Sequence, residues 1–225
     1  MKQTNIIILT LLVIMFFASC NSEEQSPTDN TTGYFTISGL SLSSNEEVFP
    51  LTRSVNASLQ LQISQGEIIV KDYAPGDDLS KRIVLPVGDY TLKAFTPDQT
   101  EAIDNESGIP VYALTSSFEV KEGDITSISL VVPQINVGVN VDVSESFSAS
   151  FHSVSVAITS ISGRSVTISD LSGSSDFYYF KVPANGKLQY VFTAYNADEE
   201  QMTLTKEITD IDVARNYSIR LDLAD

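Results

Sequence analysis

The chain has 225 residues, a formal net charge of −16 and a single cysteine, so it lacks the basic footprint of a nucleic-acid binder and cannot close an internal disulfide. Tryptophan is absent and histidine occurs once, which excludes a zinc centre built from several His and Cys ligands and leaves tyrosine and phenylalanine as the large core side chains. The acidity also argues against a body that lies on anionic lipid, although it favours solubility.

From the N-terminus, Lys2 precedes an apolar run from Ile6 to Ala18 that is broken only by Thr10. The run is shorter than the roughly 20 residues a helix needs to span a bilayer, so residues 1–19 read as a signal peptide. Phe17-Ala18-Ser19-Cys20 ends it with two small residues and the lone thiol, and resembles the lipobox at which a bacterial lipoprotein is acylated on cysteine. Acylation at Cys20 implies a lipoprotein tied to a membrane with the rest of the chain outside the cytoplasm, held by its acyl chains at about 0.8 kcal/mol per buried methylene; an outer-membrane lipoprotein exposed at the cell surface is expected if the acidic residues after Cys20 act as an export tag. The alternative is an ordinary signal peptide with a chance cysteine. Residues 20–32 form a polar tether without apolar periodicity. Its Ser22-Glu23-Glu24 reads either as an acidic surface-export tag or as a solvated linker.

Beyond the tether the sequence is almost wholly strand-like, with apolar and polar residues alternating between turn residues. Strands are expected at Tyr34 to Leu40, Ala57 to Ile63, Glu67 to Lys71, Arg82 to Leu85, Asp89 to Phe95, Leu114 to Val120 and Ile125 to Val132. Leu59, Leu61 and Ile63 share one face, as do Tyr90, Leu92 and Ala94. Pro133 punctuates, and the pattern restarts at Asn136 with Val137, Val139, Val141 and Val143 in strict alternation. Further strands follow over Phe151 to Thr159, Ser165 to Ser169, Phe177 to Val182, Lys187 to Tyr195, Met202 to Ile208 and Asn216 to Leu223. No window carries sustained helical periodicity, and a single helical turn is allowed only within Asp98 to Asn105.

About seven short strands before Pro133 and about six after it match two tandem antiparallel β-sandwiches, at 33–133 and 134–225. A weak internal echo supports this all-β division. Pro86-Val87-Gly88 leads into Tyr90-Thr91-Leu92-Lys93-Ala94, and Pro183-Ala184-Asn185-Gly186 leads into Tyr190-Val191-Phe192-Thr193-Ala194. The first strand, Tyr34 to Leu40, is expected at a sheet edge.

Catalytic chemistry has little to build on. His152 is the only imidazole, no serine lies in a Gly-x-Ser-x-Gly elbow, and no glycine-rich loop opens a helix, so no cofactor is implied. Asp77-Asp78 and Glu199-Glu200 are the acidic pairs that a glycosidase reading would need, and both read as solvated turns. Asp210, Asp212 and the stretch from Asp98 to Glu106 carry carboxylates without the spacing of a calcium loop. Tyr178 and Tyr179 are adjacent, so one of them turns away from its sheet; it reads either as an aromatic that could stack on a sugar or, more often for such a pair, as half core and half loop packing.

The segment from Leu85 to Ala94 (LPVGDYTLKA) is similar to the signature strand of transthyretin-like sandwiches, a fold shared in outline with immunoglobulin-like domains. The segments from Phe118 to Val132 and from Asn136 to Phe147 resemble a strand–turn–strand close and a second-domain first strand in a family of two-domain gut-bacterial surface lipoproteins of unknown function, similar in layout to fimbrillins. The resemblance implies a non-enzymatic, structural or adhesive protein, with a pilus subunit as its sharpest form and protein partners joined by strand addition. Fimbrillin precursors are cut after an arginine in an early loop, and Arg53 lies at a comparable place, after the first strand and before the second. The alternative for Arg53 is an ordinary loop cation. The alternative function is a glycan-binding accessory lipoprotein of an outer-membrane nutrient-uptake system.

Overall fold

Alternation with period two dictates strands with one buried face, and the computed structural model shows how they assemble. It describes residues 31–44, 59–169, 171, 176–213 and 215–223. Cys20 and Arg53 lie outside the described residues. The first half contains β1 (Thr32–Ser43), β2 (Gln60–Gln65), β3 (Ile68–Tyr73), β4 (Ile83–Pro86), β5 (Gly88–Phe95), β6 (Ala113–Val120) and β7 (Ile125–Pro133). The second contains β8 (Val137–Val143), helix α1 (Glu145–Ser150), β9 (Phe151–Ser160), β10 (Ser165–Ile168), β11 (Tyr178–Phe180), β12 (Leu188–Asn196), β13 (Gln201–Ile208) and β14 (Asn216–Leu221).

The halves repeat one topology. A four-stranded sheet β3-β2-β5-β6 faces a three-stranded sheet β4-β1-β7, and β10-β9-β12-β13 faces β11-β8-β14 in the same order. Among the described residues seven strands stand in each half, each overlapping a segment expected from the sequence. Among the described strands all pairings are antiparallel except two: β1 runs parallel to β7, and β8 runs parallel to β14. Each sandwich thus joins its first and last strands side by side, a long-range pairing that local periodicity does not encode.

Two separate cores result. In the first, Leu61, Ile63, Tyr90, Leu92 and Ala94 meet Phe35, Leu85, Leu130 and Val132 across the sheets. In the second, Val156, Ile158, Leu188, Phe192 and Ala194 meet Val137, Val139, Phe180 and Ile219. The Tyr90/Leu92/Ala94 and Tyr190/Phe192/Ala194 echo is real in space, since both triplets point inward from equivalent strands β5 and β12. With no disulfide available, these cores carry the stability. Truncating one fully buried Leu, Ile or Phe costs about 2–5 kcal/mol.

Three expectations are corrected. Residues 98–105 form no helix, whereas α1 follows β8, capped by the Ser144 hydroxyl, which accepts from the Phe147 N–H at 3.2 Å. Six residues are too few for helical periodicity to show, and it is tertiary burial of Phe147 against Phe151 and Phe192 that holds the turn. The first strand is not simply an edge. At Tyr34 and Phe35 it lies between β4 and β7, and from Thr36 onward β7 is its single strand neighbour among the described residues. Gly33 makes this possible, because a Cβ there would collide with the carbonyl of Lys121 and the side chain of Val120. Finally, β8 is covered on both faces, so Gly138 and Asn140 are buried along with the valines. The Asn216 side chain sits where a Cβ on Gly138 would project, and Ser218 donates to Asn140 Oδ1 at 2.6 Å.

The two cores meet across a polar seam. The segment 101–107, which links β5 to β6, crosses onto the second sandwich. Asn105 N–H donates to the Ser165 carbonyl, while Asp104 and Asn105 accept from the N–H groups of Ser165 and Thr167, each at 2.9 Å. Tyr179 N–H donates to the Ser107 carbonyl, and Lys181 N–H to Glu101 Oε1, both at 2.8 Å. Arg164, in the β9–β10 turn, locks the crossing. Its Nε donates to the Ala102 carbonyl at 2.8 Å, and its two terminal nitrogens donate to the carbonyls of Tyr179 and Glu106. The guanidinium stacks 4.4 Å from the Phe180 ring centre. Burial pushes the Arg164 pKa down, opposed by the nearby charges of Glu101, Asp104 and Glu106.

Arg164→Ala removes three charge-assisted donors from the carbonyls of Ala102, Glu106 and Tyr179 and should lower unfolding stability by about 3 kcal/mol in chemical denaturation. Arg164→Lys should recover less than half of that loss, because an ammonium cannot match the planar fork that spans the three acceptors. A wild-type midpoint for Arg164→Ala would show that the seam contributes nothing.

Candidate functional site

The chemistry-bearing residues of the sequence do not converge. His152 lies on β9 with its Nε2 3.4 Å from Glu199 Oε2, and both side chains are largely in solvent. Its ring is 6.1 Å from Tyr195, across the irregular register where β9 bulges against β12. Ser153 and Glu199 adopt left-handed backbone at φ 52° and 60°, as bulge and turn positions do. Nothing encloses this pair, and no serine or cysteine nucleophile among the described residues is hydrogen-bonded to its imidazole, so it reads as a surface contact.

The acidic candidates are occupied by their own turns. Asp77 accepts from Ala74 N–H at 2.9 Å, and Asp78 from the N–H and hydroxyl of Ser80. Those Ser80 bonds hold the Asp78 carboxyl below the usual range. Glu200 accepts from the Asn196 side chain at 2.9 Å within the β12–β13 hairpin. Asp212 accepts from Val213 N–H at 2.8 Å. In the stretch from Asp98 to Glu106, Asp98 accepts from Thr100 N–H, while Glu101 and Asp104 accept from backbone across the seam. Among the described residues no group of three His, Cys, Asp or Glu side chains is placed to hold a metal ion. The sequence missed the seam because its partners lie about 60 residues apart, and no local pattern marks them.

The seam leaves one cleft worth describing, of about 240 Å³, between segment 99–111 and β11. Glu101, Ile109, Val111, Tyr179, Phe180 and Lys181 are among its lining residues. It is smaller than the roughly 300–1,000 Å³ of ordinary ligand pockets. Asn136 at its wall is already engaged, donating to the Ile109 carbonyl and accepting from Val111 N–H, both at 2.9 Å. Tyr178 and Tyr179 are each half-buried. Tyr179 lines the cleft beside Phe177, at 6.3 Å between rings. The only aromatic in the exposed class among the described residues is Tyr34, at 41%, with Arg82 over its ring at 5.6 Å. A sugar platform of several aromatic faces is therefore not assembled there.

β1 is the first strand of the described residues, and Arg53 lies in the sequence between it and β2. Phe35 is 1% exposed and stacks on Phe118 at 4.5 Å, and Tyr34 N–H donates to the Asp124 carbonyl at 2.8 Å. At the far end the Ser43 carbonyl accepts from Gln134 N–H at 2.8 Å. The strand is tied at both ends and in its middle. No helix among the described residues is long and apolar enough to cross a membrane.

No curated protein matches the chain in sequence. Among solved structures it is similar to a fimbrilin from Porphyromonas gingivalis, at 11% identity, with 80% of each chain covered and a TM-score of 0.43. It is also similar to a candidate cell adhesion protein from Bacteroides eggerthii, at 8% identity, with 85% of each chain covered and a TM-score of 0.45. A third likeness is to the Bacillus anthracis TIE protein, at 15% identity and a TM-score of 0.33, covering 85% of this chain and 33% of that one. Residues 31–225 match the family described as Domain of unknown function (DUF4493), and the chain belongs to that family.

Proposed function

We propose that this chain is a cell-surface lipoprotein of Gram-negative type, anchored through Cys20, with a structural or adhesive role and no enzymatic one. The observation that carries the reading is the placement of β1: a lipobox-like signal and polar tether lead straight into a strand built into the first core. In this reading 33–133 and 134–225 are two sandwich domains that act as one body, because segment 101–107 and Arg164 bind them across the seam.

The sharper version, a fimbrillin-like pilus subunit, needs cleavage after Arg53 and departure of β1, opening a groove for a strand of another subunit. Departure would strip β4 and β7 of their shared partner and vacate the site of Phe35, which costs about 3–5 kcal/mol for that side chain alone. The pairing on both sides favours a retained strand, and with it adhesion or scaffolding without polymerisation.

Two measurements test this. Cys20→Ala should move the protein from the membrane pellet to the soluble exported fraction, and a variant that stays with membranes would refute the anchor. Limited trypsin digestion should yield, after any cut at Arg53, a nicked monomer that keeps its N-terminal piece on size exclusion. Loss of that piece together with growth of oligomers would overturn the retained-strand reading and favour the pilus subunit.

A further inference from the structure

Strand polarity in both sandwiches has a mechanical consequence. The chain enters the first sandwich at the start of β1 and leaves it at the end of β7. Because those strands are parallel neighbours, paired from Tyr34–Ile125 to Ser43–Pro133, the entry and exit points lie at opposite ends of one ladder. The second sandwich repeats this. Entry is at the start of β8, exit at the end of β14, and the ladder runs from Gly138–Asn216 to Val143–Leu221. Tension along the chain therefore slides each pair of strands lengthwise. Every hydrogen bond of a ladder is loaded at once and none can fail alone. Had the terminal strands been antiparallel neighbours, entry and exit would share one end, and the bonds would open one after another.

The connector between the ladders is pinned. Gln134 N–H donates to the carbonyl of Ser43, the last residue of β1, at 2.8 Å. The Gln134 side-chain amide donates to Asn136 O at 2.8 Å and to Asn216 Oδ1, at the start of β14, at 3.0 Å. Asn216 Oδ1 also accepts from Gly138 N–H at 2.8 Å. Gln134 and Asn136 are both buried. The connector thus touches the end of one ladder and the start of the next, so load passes from β7 to β8 without slack chain between them.

We propose that the chain is a load-bearing strut in which tension between the N-terminal tether and the end of β14 is carried in shear by β1·β7 and β8·β14 in series. The use of that strength at a cell surface rests on the anchored-lipoprotein reading, whereas the strength itself follows from strand polarity alone.

Single-molecule pulling on the full chain tests it, using protein purified from a cytoplasm in which Cys20 keeps its thiol as the first attachment point. A second thiol at Leu223→Cys, just beyond β14, loads both ladders in shear. A second thiol at Glu122→Cys, in the turn before β7, pulls β1 and β7 apart from the same end. Lys121→Cys, one residue earlier, is a second peeling site should Glu122→Cys fail to fold. All these positions except Cys20 are surface residues of the described chain. Forced unfolding reports the barrier and not the equilibrium, so the geometries differ even where stability is equal. The first-sandwich unfolding force should be at least twofold higher for the Cys20–Leu223→Cys pair than for either peeling pair at one loading rate. Equal forces, or a weaker shear geometry, would overturn the strut. That result would leave the anchor untouched, because fractionation of Cys20→Ala decides the anchor separately.

Discussion

The two cores are joined by buried polar groups, and the remaining architecture depends on that join. Gln134, Asn136 and Arg164 are among the few polar side chains below one-tenth exposure, and all three lie where the halves meet. A buried amide or guanidinium is tolerated only when its donors and acceptors are matched. Here the matching partners come from both halves: carbonyls of Ala102, Glu106 and Ile109 on one side, Tyr179 and Asn216 on the other. Separation of the halves would strand these groups. The junction is specific for the same reason, since a purely apolar seam would allow sliding that this hydrogen-bond pattern forbids.

The repeat explains how a chain without disulfides closes two sandwiches of modest size. Each begins with a strand that ends up beside the last strand of its own half, so each core is sealed by residues far apart in sequence. This leaves short or exposed strands at the margins. β3 presents Ile68, Ile69 and Val70 to solvent, and β13 presents Met202 and Leu204. Open edges of this kind invite pairing with other strands. Lys71 and Asp72 on β3 and Lys206 and Glu207 on β13 place charge on each, which discourages indiscriminate association.

The candidate site was only partly legible. The alternating triplets from Leu59 to Ile63 and from Tyr90 to Ala94 led directly to core faces, because period two follows from the strand backbone itself. Arg164 gave no such signal. In sequence it is an ordinary cation after Ser162-Gly163, and its buried position depends on carbonyls of segment 101–107. The carboxylates from Asp98 to Glu106 lack the spacing of a calcium loop, and in the fold Glu101 and Asp104 serve as acceptors for backbone of the other half. Cys20 and Arg53 stand on motif and position.

By itself the sequence determined the strand content, the inward faces, the turn at Pro86-Val87-Gly88 and the restart after Pro133. Each is set by local stereochemistry: side-chain alternation along a strand and the preferences of proline and glycine in turns. Only the tertiary structure decided which strands became neighbours. The parallel β1·β7 and β8·β14 pairs, the cover of β4 over the first residues of β1 and the crossing of segment 101–107 join residues far apart in the chain. Such pairings are selected by the total burial and hydrogen bonding of the closed sandwiches, a quantity that no window of neighbouring residues contains.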